Sequence, residues 1–424
     1  MTTRQRAAHG NTSPTRKRGS VTRGSSPTAP SLALRASVAH FLLAMLLLPA
    51  SRLGAEEPGP VIDASMNALQ IQNLGDTPGH KNHALHIRDA MLLCDKANYA
   101  IRYCACVDPA HHGKAVPMEG YIGMPLPSAA NWYHSGFLFI LLNGHDIGTT
   151  PLSSMVIAQR DRRAILDMVW HDELASVRVR FLLLPGHDEL DCEIAIEPKR
   201  QIASVELRLN CYPSFFTAAY HRDGARRIQT PTTLVEQGQR VTLPAKENWW
   251  GVYYDEVFDV AKGEGDGPCG LLLVPDQAAQ IALEPGSYGV GTRIGYRPET
   301  RRIRLAFWDF TRKTNAEALA RLRSGAEAVR KELAAMDFTP DAVKGIDVAA
   351  MRAEIRRAIA SESVRKSLGP KIAAVQSWLQ KYGPALENKR PAEGIEAEER
   401  LLESIDTYRD FSWEVKLAEL LEKL

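Results

Sequence analysis

The sequence predicts a mainly β protein, in which a large antiparallel β-sandwich over residues 56–312 is followed by a C-terminal α-helical region over residues 313–424. Apolar and polar residues alternate at period two in many short segments before residue 312, which is typical of strands with one buried face. Gly, Pro and aromatic residues concentrate in the same part, whereas Ala and charged residues with helical spacing follow it. This change in composition predicts the boundary between the two regions.

Residues 1–55 have the composition of an export leader. They contain eight Lys or Arg residues and no Asp or Glu. The apolar run over residues 38–48 is too short to span a bilayer, which takes ~20 residues, but it has the length of the apolar part of a secretory signal. We therefore expect an exported protein, periplasmic or extracellular. The alternative is an uncleaved leader, which would be the only link to a membrane that we predict.

The sequence of the leader is compatible with more than one cleavage site and more than one start codon. Residues 1–36 are basic and rich in Ser, Thr, Pro and Gly, a low-complexity composition that cannot bury a core. Gly54 and Ala55 offer a cleavage point before Glu56, but Leu53 is larger than the residue usual at that place. The cleavage site and the start codon therefore both stay undecided.

The charge of the chain depends strongly on the leader. The whole sequence has 52 basic and 50 acidic residues. Without the eight cations of the leader, the rest has 44 basic and 50 acidic residues, a net charge of −6 with His neutral. A mildly acidic protein has no electrostatic reason to bind nucleic acid, so we predict no nucleic-acid partner.

Short strand patterns run through the β-rich part. In the clearest hairpin, Val177, Val179 and Phe181 alternate with arginines, and residues 190–196 alternate again after a turn at 185–188. This alternation predicts one buried side and one solvent-facing side. Further strands are predicted at 84–94, 99–107, 136–142, 163–170, 205–209, 270–274, 278–283, 287–296 and 302–307.

Helical spacing begins just after the boundary. Thr314 or Asn315 can cap a first helix. The Gly-Pro pairs at 369–370 and 383–384 predict the ends of the second and third helices, because proline interrupts helical hydrogen bonding. A last helix is predicted between residues 393 and 424. Their apolar stripes need a partner surface, either each other or the sandwich.

The cysteines all lie in the β-rich part. An exported protein can form disulfides, and six cysteines allow many pairings. Cys192 with Cys211 is the pair that strand alternation favours, on neighbouring strands. The alternative is that all six are free buried thiols. The six are Cys94, Cys104, Cys106, Cys192, Cys211 and Cys269.

Established catalytic motifs are missing from the sequence. It has no Gly-x-Ser-x-Gly elbow, no phosphate-binding loop and no His-Glu-x-x-His motif. His80, His83 and His86 are spaced like a metal cluster, which keeps a metal-dependent hydrolase as an alternative. Loop or surface histidines are the simpler interpretation. We therefore predict no metal and no cofactor.

Three acidic pairs stand beside aromatic or His residues. Glycoside hydrolysis needs two carboxyl groups about 5–10 Å apart, one protonated and one ionised. Adjacent carboxylates on a strand point to opposite faces, so a working pair would have to combine different segments. The simplest interpretation of each pair is solvated surface. The pairs are Asp172-Glu173, Asp188-Glu189 and Asp255-Glu256.

The segment 249–256 is the best candidate for a ligand site, because it combines four large aromatic residues with two carboxylates. Aromatic rings stack on the apolar faces of sugars, and carboxylates accept hydrogen bonds from hydroxyls. The alternative is that these aromatic residues fill the core. Alternation places residues 250, 252 and 254 on one face and 249, 251, 253 and 255 on the other. The candidate ligand-binding residues are Trp249, Trp250, Tyr253, Tyr254, Asp255 and Glu256, with Trp132 and Tyr133 from a similar segment.

These features favour an exported carbohydrate-binding or carbohydrate-processing β-sandwich. The layout is similar to large β-sandwiches that handle carbohydrates, including mutarotase-like supersandwiches; this resemblance concerns the fold alone and carries no residue roles. Catalytic residues are not identified, so whether the protein is an enzyme stays undecided. The second hypothesis is a non-catalytic envelope or assembly protein, in which the C-terminal helices dock a partner or a second copy.

Overall fold

The computed structural model describes residues 61–73, 84–106, 120–214, 224–256, 266–344, 347–387 and 394–421. Among the described residues, strands make up 42% and helices 30%, with the α-helices at the C-terminal end. The predicted fold class, a mainly β protein with two large antiparallel sheets and a C-terminal helical region, is therefore confirmed. The leader, residues 1–55, lies outside the described residues.

The first sheet contains eleven of the described strands, in the order β1-β3-β4-β5-β6-β12-β19-β18-β15, with β2 beside β3 and β7 beside β6. Every pair is antiparallel. The strands are β1 (Ile62–Met66), β2 (Gln70–Asn73), β3 (Ala84–Cys94), β4 (Asn98–Cys106), β5 (Tyr121–Leu126), β6 (Leu138–Leu142), β7 (His145–Asp146), β12 (Val205–Cys211), β15 (Val241–Pro244), β18 (Ala278–Pro285) and β19 (Val290–Tyr296).

The second sheet contains nine of the described strands, in the order β14-β13-β16-β17-β20-β11-β10-β9-β8, again antiparallel. Its inner face packs against the first sheet and forms the main core. The strands are β8 (Leu152–Asp161), β9 (Arg163–His171), β10 (Ala175–Leu183), β11 (Leu190–Pro198), β13 (Arg226–Gln229), β14 (Leu234–Glu236), β16 (Trp250–Asp255), β17 (Cys269–Leu273) and β20 (Arg302–Asp309).

The predicted hairpin is β10 and β11, and its alternation is confirmed. Val179 and Phe181 belong to the core between the sheets, whereas Arg178 and Arg180 lie on the opposite face. The prediction that this opposite face meets solvent is wrong, because all nine residues of β10 are buried. Helices cover the outer face, so its charged side chains need partners from those helices.

Five α-helices are described: α1 (Asn315–Ala335), α2 (Asp341–Lys344), α3 (Val348–Ala360), α4 (Glu362–Glu387) and α5 (Ile395–Leu421). Thr314 is the N-cap of α1, and a capping box with Glu317 is complete, as the sequence indicated. The apolar stripe of α1 packs on the outer face of the second sheet, against Trp250, Leu272 and Trp308. None of the described helices combines the length and apolarity needed to cross a bilayer.

The expected helix ends at the Gly-Pro pairs are wrong. Helix α4 runs without a break from Glu362 to Glu387 and contains both Pro370 and Pro384. The break lies earlier, at Ser361 between α3 and α4. Packing explains why α4 continues: its apolar side chains join α3 and α5 in a separate core, and such tertiary contacts outweigh the hydrogen bond that each proline removes.

A buried ionic network joins α5 to the second sheet. Arg180 forms two hydrogen bonds with Asp167 on β9, of which the Nη2–Oδ2 bond is 2.6 Å long, and its Nη2 also lies 3.1 Å from Glu398 Oε1 on α5. Arg178 binds the same Glu398. These groups are almost fully buried, so each charge depends on its partner.

Five cysteines are free thiols: Cys94, Cys104, Cys192, Cys211 and Cys269. The side chain of the sixth, Cys106, lies outside the described ones. Cys192 and Cys211 do not lie on neighbouring strands, since β11 belongs to the second sheet and β12 to the first. Both thiols face the common core, where burial raises the pKa of the Cys192 thiol. They therefore pack as small apolar side chains.

Candidate functional site

The predicted segment 249–256 contains strand β16 of the second sheet. Its alternation is confirmed: Tyr253 lies in the core between the sheets, and Trp250 and Tyr254 lie in the cluster beneath α1. Tyr253 is fully buried, and Trp250 and Tyr254 are 7% and 9% exposed. Both faces of the strand are therefore covered, one by the first sheet and the other by α1.

The two carboxylates of this segment are both paired. Asp255 is fully buried, and its Oδ2 lies 2.9 Å from Nη1 of the buried Arg226. Glu256 is exposed and pairs with Arg227 at 2.8 Å. Trp249 is half-buried, with the Arg330 guanidinium 5.4 Å from its ring centroid. A ligand role for these residues stays a prediction; in this conformation the buried members pack the interior.

The other two predicted ligand-binding residues, Trp132 and Tyr133, differ in their exposure. Trp132 is fully buried and meets Phe307 and Tyr253 edge-to-face, with centroids 5.2 and 5.7 Å apart. Its neighbour Tyr133 is half-buried at the surface. The short loop that carries both residues thus anchors one ring in the core and presents the other outside.

Tyr133 continues into a row of tyrosines. Its ring lies 4.7 Å from that of Tyr212, and Tyr212 lies 5.0 Å from Tyr288, both in edge-to-face contact. Tyr288 is 64% exposed. A Cβ at Gly289 would lie 2.4 Å from the Tyr212 ring, so only glycine at that position leaves room for this ring. We call Tyr133, Tyr212 and Tyr288 the tyrosine row.

A polar hollow adjoins the tyrosine row on the outer face of the first sheet. It has a volume of about 220 Å³ and includes Arg208, Asn210, Arg240, Glu284 and Arg293 in its lining. Arg208 and Arg293 lie directly opposite each other on β12 and β19. Asn210 connects the two features, since its carbonyl oxygen accepts the Tyr133 backbone N–H at 3.3 Å. We call this feature the arginine hollow.

The electrostatics of the surface suit a polar, uncharged or anionic ligand. Arg240 makes a two-pronged contact with Glu284, with N–O distances of 2.6 and 2.9 Å, and Arg208 binds Glu206 at 2.7 Å. Two like charges opposite each other on adjacent strands repel, so an anion or a hydroxyl oxygen between Arg208 and Arg293 would be favourable. Burial raises the pKa of Tyr212, which keeps its hydroxyl neutral.

Sequence reasoning found Tyr133 but missed Tyr212 and Tyr288. Both stand at strand boundaries: Tyr212 directly follows β12, and Tyr288 precedes β19 by two residues. β12 and β19 are neighbours in the first sheet, with Cys211 opposite Val290. An aromatic residue at the end of each of two predicted strands was therefore the available signal, but only the pairing of the strands brings the rings together.

The acidic pairs are not simply solvated, which corrects that expectation. One carboxylate of each pair is buried: Asp172, Glu189 and Asp255. Asp172 Oδ2 accepts a hydrogen bond from Thr150 at 2.5 Å, and Glu189 binds Arg321 at 3.0 Å. In each pair the buried carboxylate is satisfied by a hydroxyl group or an arginine.

The described residues offer no candidate site for the metal-dependent hydrolase that the histidine spacing suggested. Within the part of the chain that the structure describes, no group of three His, Cys, Asp or Glu residues could hold a metal ion. His80 and His83 lie outside the described residues, and only His86 of that cluster is placed, on β3.

Comparison with known proteins finds neighbours among solved structures alone. No protein-family model and no curated protein matches the chain. A GH36 α-galactosidase from Geobacillus stearothermophilus in complex with stachyose is similar over 53% of this chain and 41% of its own, at 13% identity and a TM-score of 0.29. An α-N-acetylgalactosaminidase from Bifidobacterium bifidum is similar over 65% of this chain and 40% of its own, at 9% sequence identity and a TM-score of 0.35.

A third neighbour is a putative aldose 1-epimerase from Escherichia coli K12, similar over 50% of this chain and 95% of its own, at 7% identity and a TM-score of 0.27. The chain spans about two fifths of the length of the two glycoside hydrolases. At these TM-scores the similarity assigns no activity, substrate or residue role to this chain.

Proposed function

We propose that this protein is an exported carbohydrate-binding protein, and that its ligand lies along the tyrosine row and reaches the arginine hollow. The observation that supports the proposal is a row of three tyrosine rings, with Tyr288 exposed at its end, joined through the Tyr133–Asn210 backbone hydrogen bond to a polar hollow on the outer face of the first sheet. Sugars combine apolar ring faces with many hydroxyls, so they match a surface that offers both.

The two parts of the surface would have different roles in binding. The tyrosine rings supply apolar contact area at a low cost in side-chain entropy, since their packing against each other already restricts them. Arg208, Asn210 and Glu284 supply donors and acceptors that orient hydroxyl groups. A ligand that bridges both parts gains affinity from the rings and specificity from the hollow. Carbohydrate processing stays a further prediction, since neither part supplies an identified pair of catalytic carboxylates.

The experiment is a binding screen of the purified protein against soluble plant, algal and cell-wall polysaccharides by affinity electrophoresis. For a retarding polysaccharide, we expect Tyr288→Ala to weaken binding at least tenfold, about 1.4 kcal/mol. Trp413→Ala is the matched control, because Trp413 is 70% exposed but lies on α5. Retardation by no polysaccharide, or equal retardation of the wild type and Tyr288→Ala, would overturn the proposal.

Export is part of the proposal and has its own test. The basic, acid-free leader with its apolar run at 38–48 supports it. Mass spectrometry of the protein from the producing cells should find it in the periplasm or medium, with its N-terminus near Glu56. Full-length protein confined to the cytosol would contradict export without bearing on the tyrosine row.

A specific observation also favours the second candidate, self-association through the C-terminal helices. One side of α5 leaves Trp413, Leu417, Leu420 and Leu421 exposed, at the spacing of a single helical face. Such a stripe can pack against the same stripe of a second copy. Light scattering of the wild type should then give a dimer and that of Trp413→Ser a monomer, with Tyr288→Ala as the control that stays dimeric. A monomeric wild type would exclude this candidate.

A further inference from the structure

A second pocket lies at the junction between β20 and α1. Its volume is about 410 Å³, within the range of sites for small ligands. Four separate segments line it: the β3–β4 turn with Lys96 and the start of β4 with Tyr99, residues 126–127, the β10–β11 turn with Asp188, and the stretch from Trp308 to Lys313. Elements that are distant in sequence thus form one cavity.

Three cations of this pocket lie outside the described ion pairs. Lys96, Arg312 and Lys313 are exposed in its lining, and none of them forms an ion pair with a described residue. Many other arginines of the described chain do pair with carboxylates, as Arg102 does with Asp89 at 2.7 Å. The pocket therefore concentrates positive charge, although Lys313 also attracts Glu317, whose pKa is lowered by hydrogen bonds from Thr314 and by Lys313.

The acidic groups of the pocket do not cancel this charge. Asp188 already binds Arg321 at 2.7 Å and the Trp308 indole N–H at 3.0 Å. Burial acts to raise the pKa of Asp188, but the hydrogen bonds from Arg321 outweigh burial and lower this pKa to about 2. Burial raises the pKa of the Asp309 carboxyl group to about 7, and its oxygens already accept hydrogen bonds from Ser128, Asn131 and Thr311.

The backbone around Arg312 is held in an uncommon conformation. Arg312 has a φ of 66°, a left-handed value that costs free energy for a residue with a side chain. Its backbone N–H donates to the Asp266 carbonyl at 3.0 Å. Gly267 packs against the same turn, where a Cβ would lie 2.6 Å from the Phe310 carbonyl oxygen. The fold thus maintains a strained turn that places a cation in the pocket lining.

We propose that this pocket binds a sugar residue carrying a negative charge, a carboxylated or sulfated hexose, through Lys96, Arg312 and Lys313. The proposal rests on the proposed carbohydrate function and names the class of sugar. The loop that carries Tyr133 also reaches this pocket, because the Asn131 amide donates to Asp309 Oδ1 at 2.8 Å. Asn131 and Tyr133 are two residues apart, at most about 7 Å along the chain. One loop thus contacts both the tyrosine row, through Tyr133, and a carboxyl group that lines the pocket, through Asn131.

The test is calorimetric titration of the full chain with glucuronate, galacturonate and glucose 6-sulfate, each against the neutral hexose of the same ring. We expect at least one charged sugar to bind tenfold or more tightly than its neutral counterpart. Comparison of the two uronates with glucose 6-sulfate shows whether the pocket prefers a carboxylate or a sulfate group. Inorganic sulfate is the fourth charged probe. If it binds as tightly as every charged sugar, the pocket is a bare anion site and the proposal is overturned, as it is if no charged sugar binds.

Variants assign the binding to this pocket. Arg312→Asn combined with Lys313→Ala should weaken charged-sugar binding at least tenfold, because asparagine tolerates the left-handed backbone but carries no charge. Arg312→Lys should keep most of the affinity, and Lys416→Ala, an exposed cation on α5, is the matched control. Unchanged affinity in the double variant would contradict the proposal. Tyr288→Ala separates the two sites, since it tests the tyrosine row with polysaccharide and leaves single sugars in the pocket unaffected.

Discussion

The Trp132 indole N–H donates a hydrogen bond to the carbonyl oxygen of Trp308 at 2.9 Å. This bond crosses the core, since Trp132 belongs to a loop beside the first sheet and Trp308 to β20 of the second. The same loop places Asn131 on Asp309 and Tyr133 in the tyrosine row. One buried ring thus holds in place the segment that connects both proposed ligand sites.

Trp132→Ala is therefore expected to destabilise the protein by roughly 3–5 kcal/mol, because it opens a large cavity in a packed core. Trp132→Phe keeps most of the apolar contact but leaves the Trp308 carbonyl without its donor, so its cost should be smaller, about 1–3 kcal/mol. Urea unfolding followed by circular dichroism measures both. Equal stability of Trp132→Ala and wild type would show that the ring does not hold the loop.

Removal of the Arg180 side chain should destabilise the protein about as much as Trp132→Ala does. The side chains of Arg180 and Asp167 are 1% and 2% exposed, so Arg180→Met leaves a buried carboxylate without its partner and should cost about 3–5 kcal/mol. Arg180→Met combined with Asp167→Leu should recover part of this loss, since no unpaired charge remains. Urea unfolding of the two variants decides this, and a double variant less stable than Arg180→Met would contradict the pairing.

Asp309 should make stability fall as the pH rises. Its folded pKa, about 7, is raised by burial above the unfolded value of about 3.9. The folded state therefore holds the proton more tightly, and this contribution is complete below pH ~3.9 and lost as the pH rises through 7. The stability of wild type relative to Asp309→Asn should thus decline between pH 4 and 7 in urea titrations. Asp406→Asn on α5 is the control, and parallel pH profiles for wild type and Asp309→Asn would refute the assignment.

The capping box of α1 offers a milder test. Thr314 Oγ1 accepts the Glu317 N–H at 3.1 Å, and Glu317 Oε2 accepts the Thr314 N–H at 2.7 Å. Thr314→Ala should cost about 1 kcal/mol, whereas Thr314→Ser, which keeps the hydroxyl, should cost little. Thermal unfolding compares the two. If serine and alanine are equally destabilising, the cap does not contribute as described.

Thiol reactivity should report the burial of the cysteines. Burial raises the pKa of Cys104 to about 11 and also raises that of Cys269, and a thiol that stays protonated reacts slowly. Both should therefore resist a thiol reagent in the native protein and react once urea unfolds it, without added reductant. Peptide mapping identifies them. A requirement for reductant would mean that they are oxidised.

Much of the fold followed from local pattern. The alternation of Val179 and Phe181 with arginines predicted β10 and the face that points into the core. The cap at Thr314 predicted the start of α1. In contrast, the prolines of α4 misled the sequence argument, because a proline's local cost says nothing of the tertiary contacts that offset it.

The proposed sites were predictable only in part. Tyr133 stood in a segment that drew attention by composition, but Tyr212 and Tyr288 come from two other strand ends. The aromatic cluster at 249–256 had the right chemistry for a ligand site, yet α1 covers one of its faces. Composition cannot reveal burial by a helix that comes some sixty residues later, as the bond from Asn315 to Asp255 illustrates.

By itself, the sequence determined the fold class, the alternation within strands and the start of the first helix, because backbone geometry sets the periods of strands and helices within a few residues. Only the tertiary structure decided that Arg180 meets Glu398, 218 residues away, and that three tyrosines form one row. Such encounters depend on the order of strands in a sheet and on the packing of layers, which no local period records.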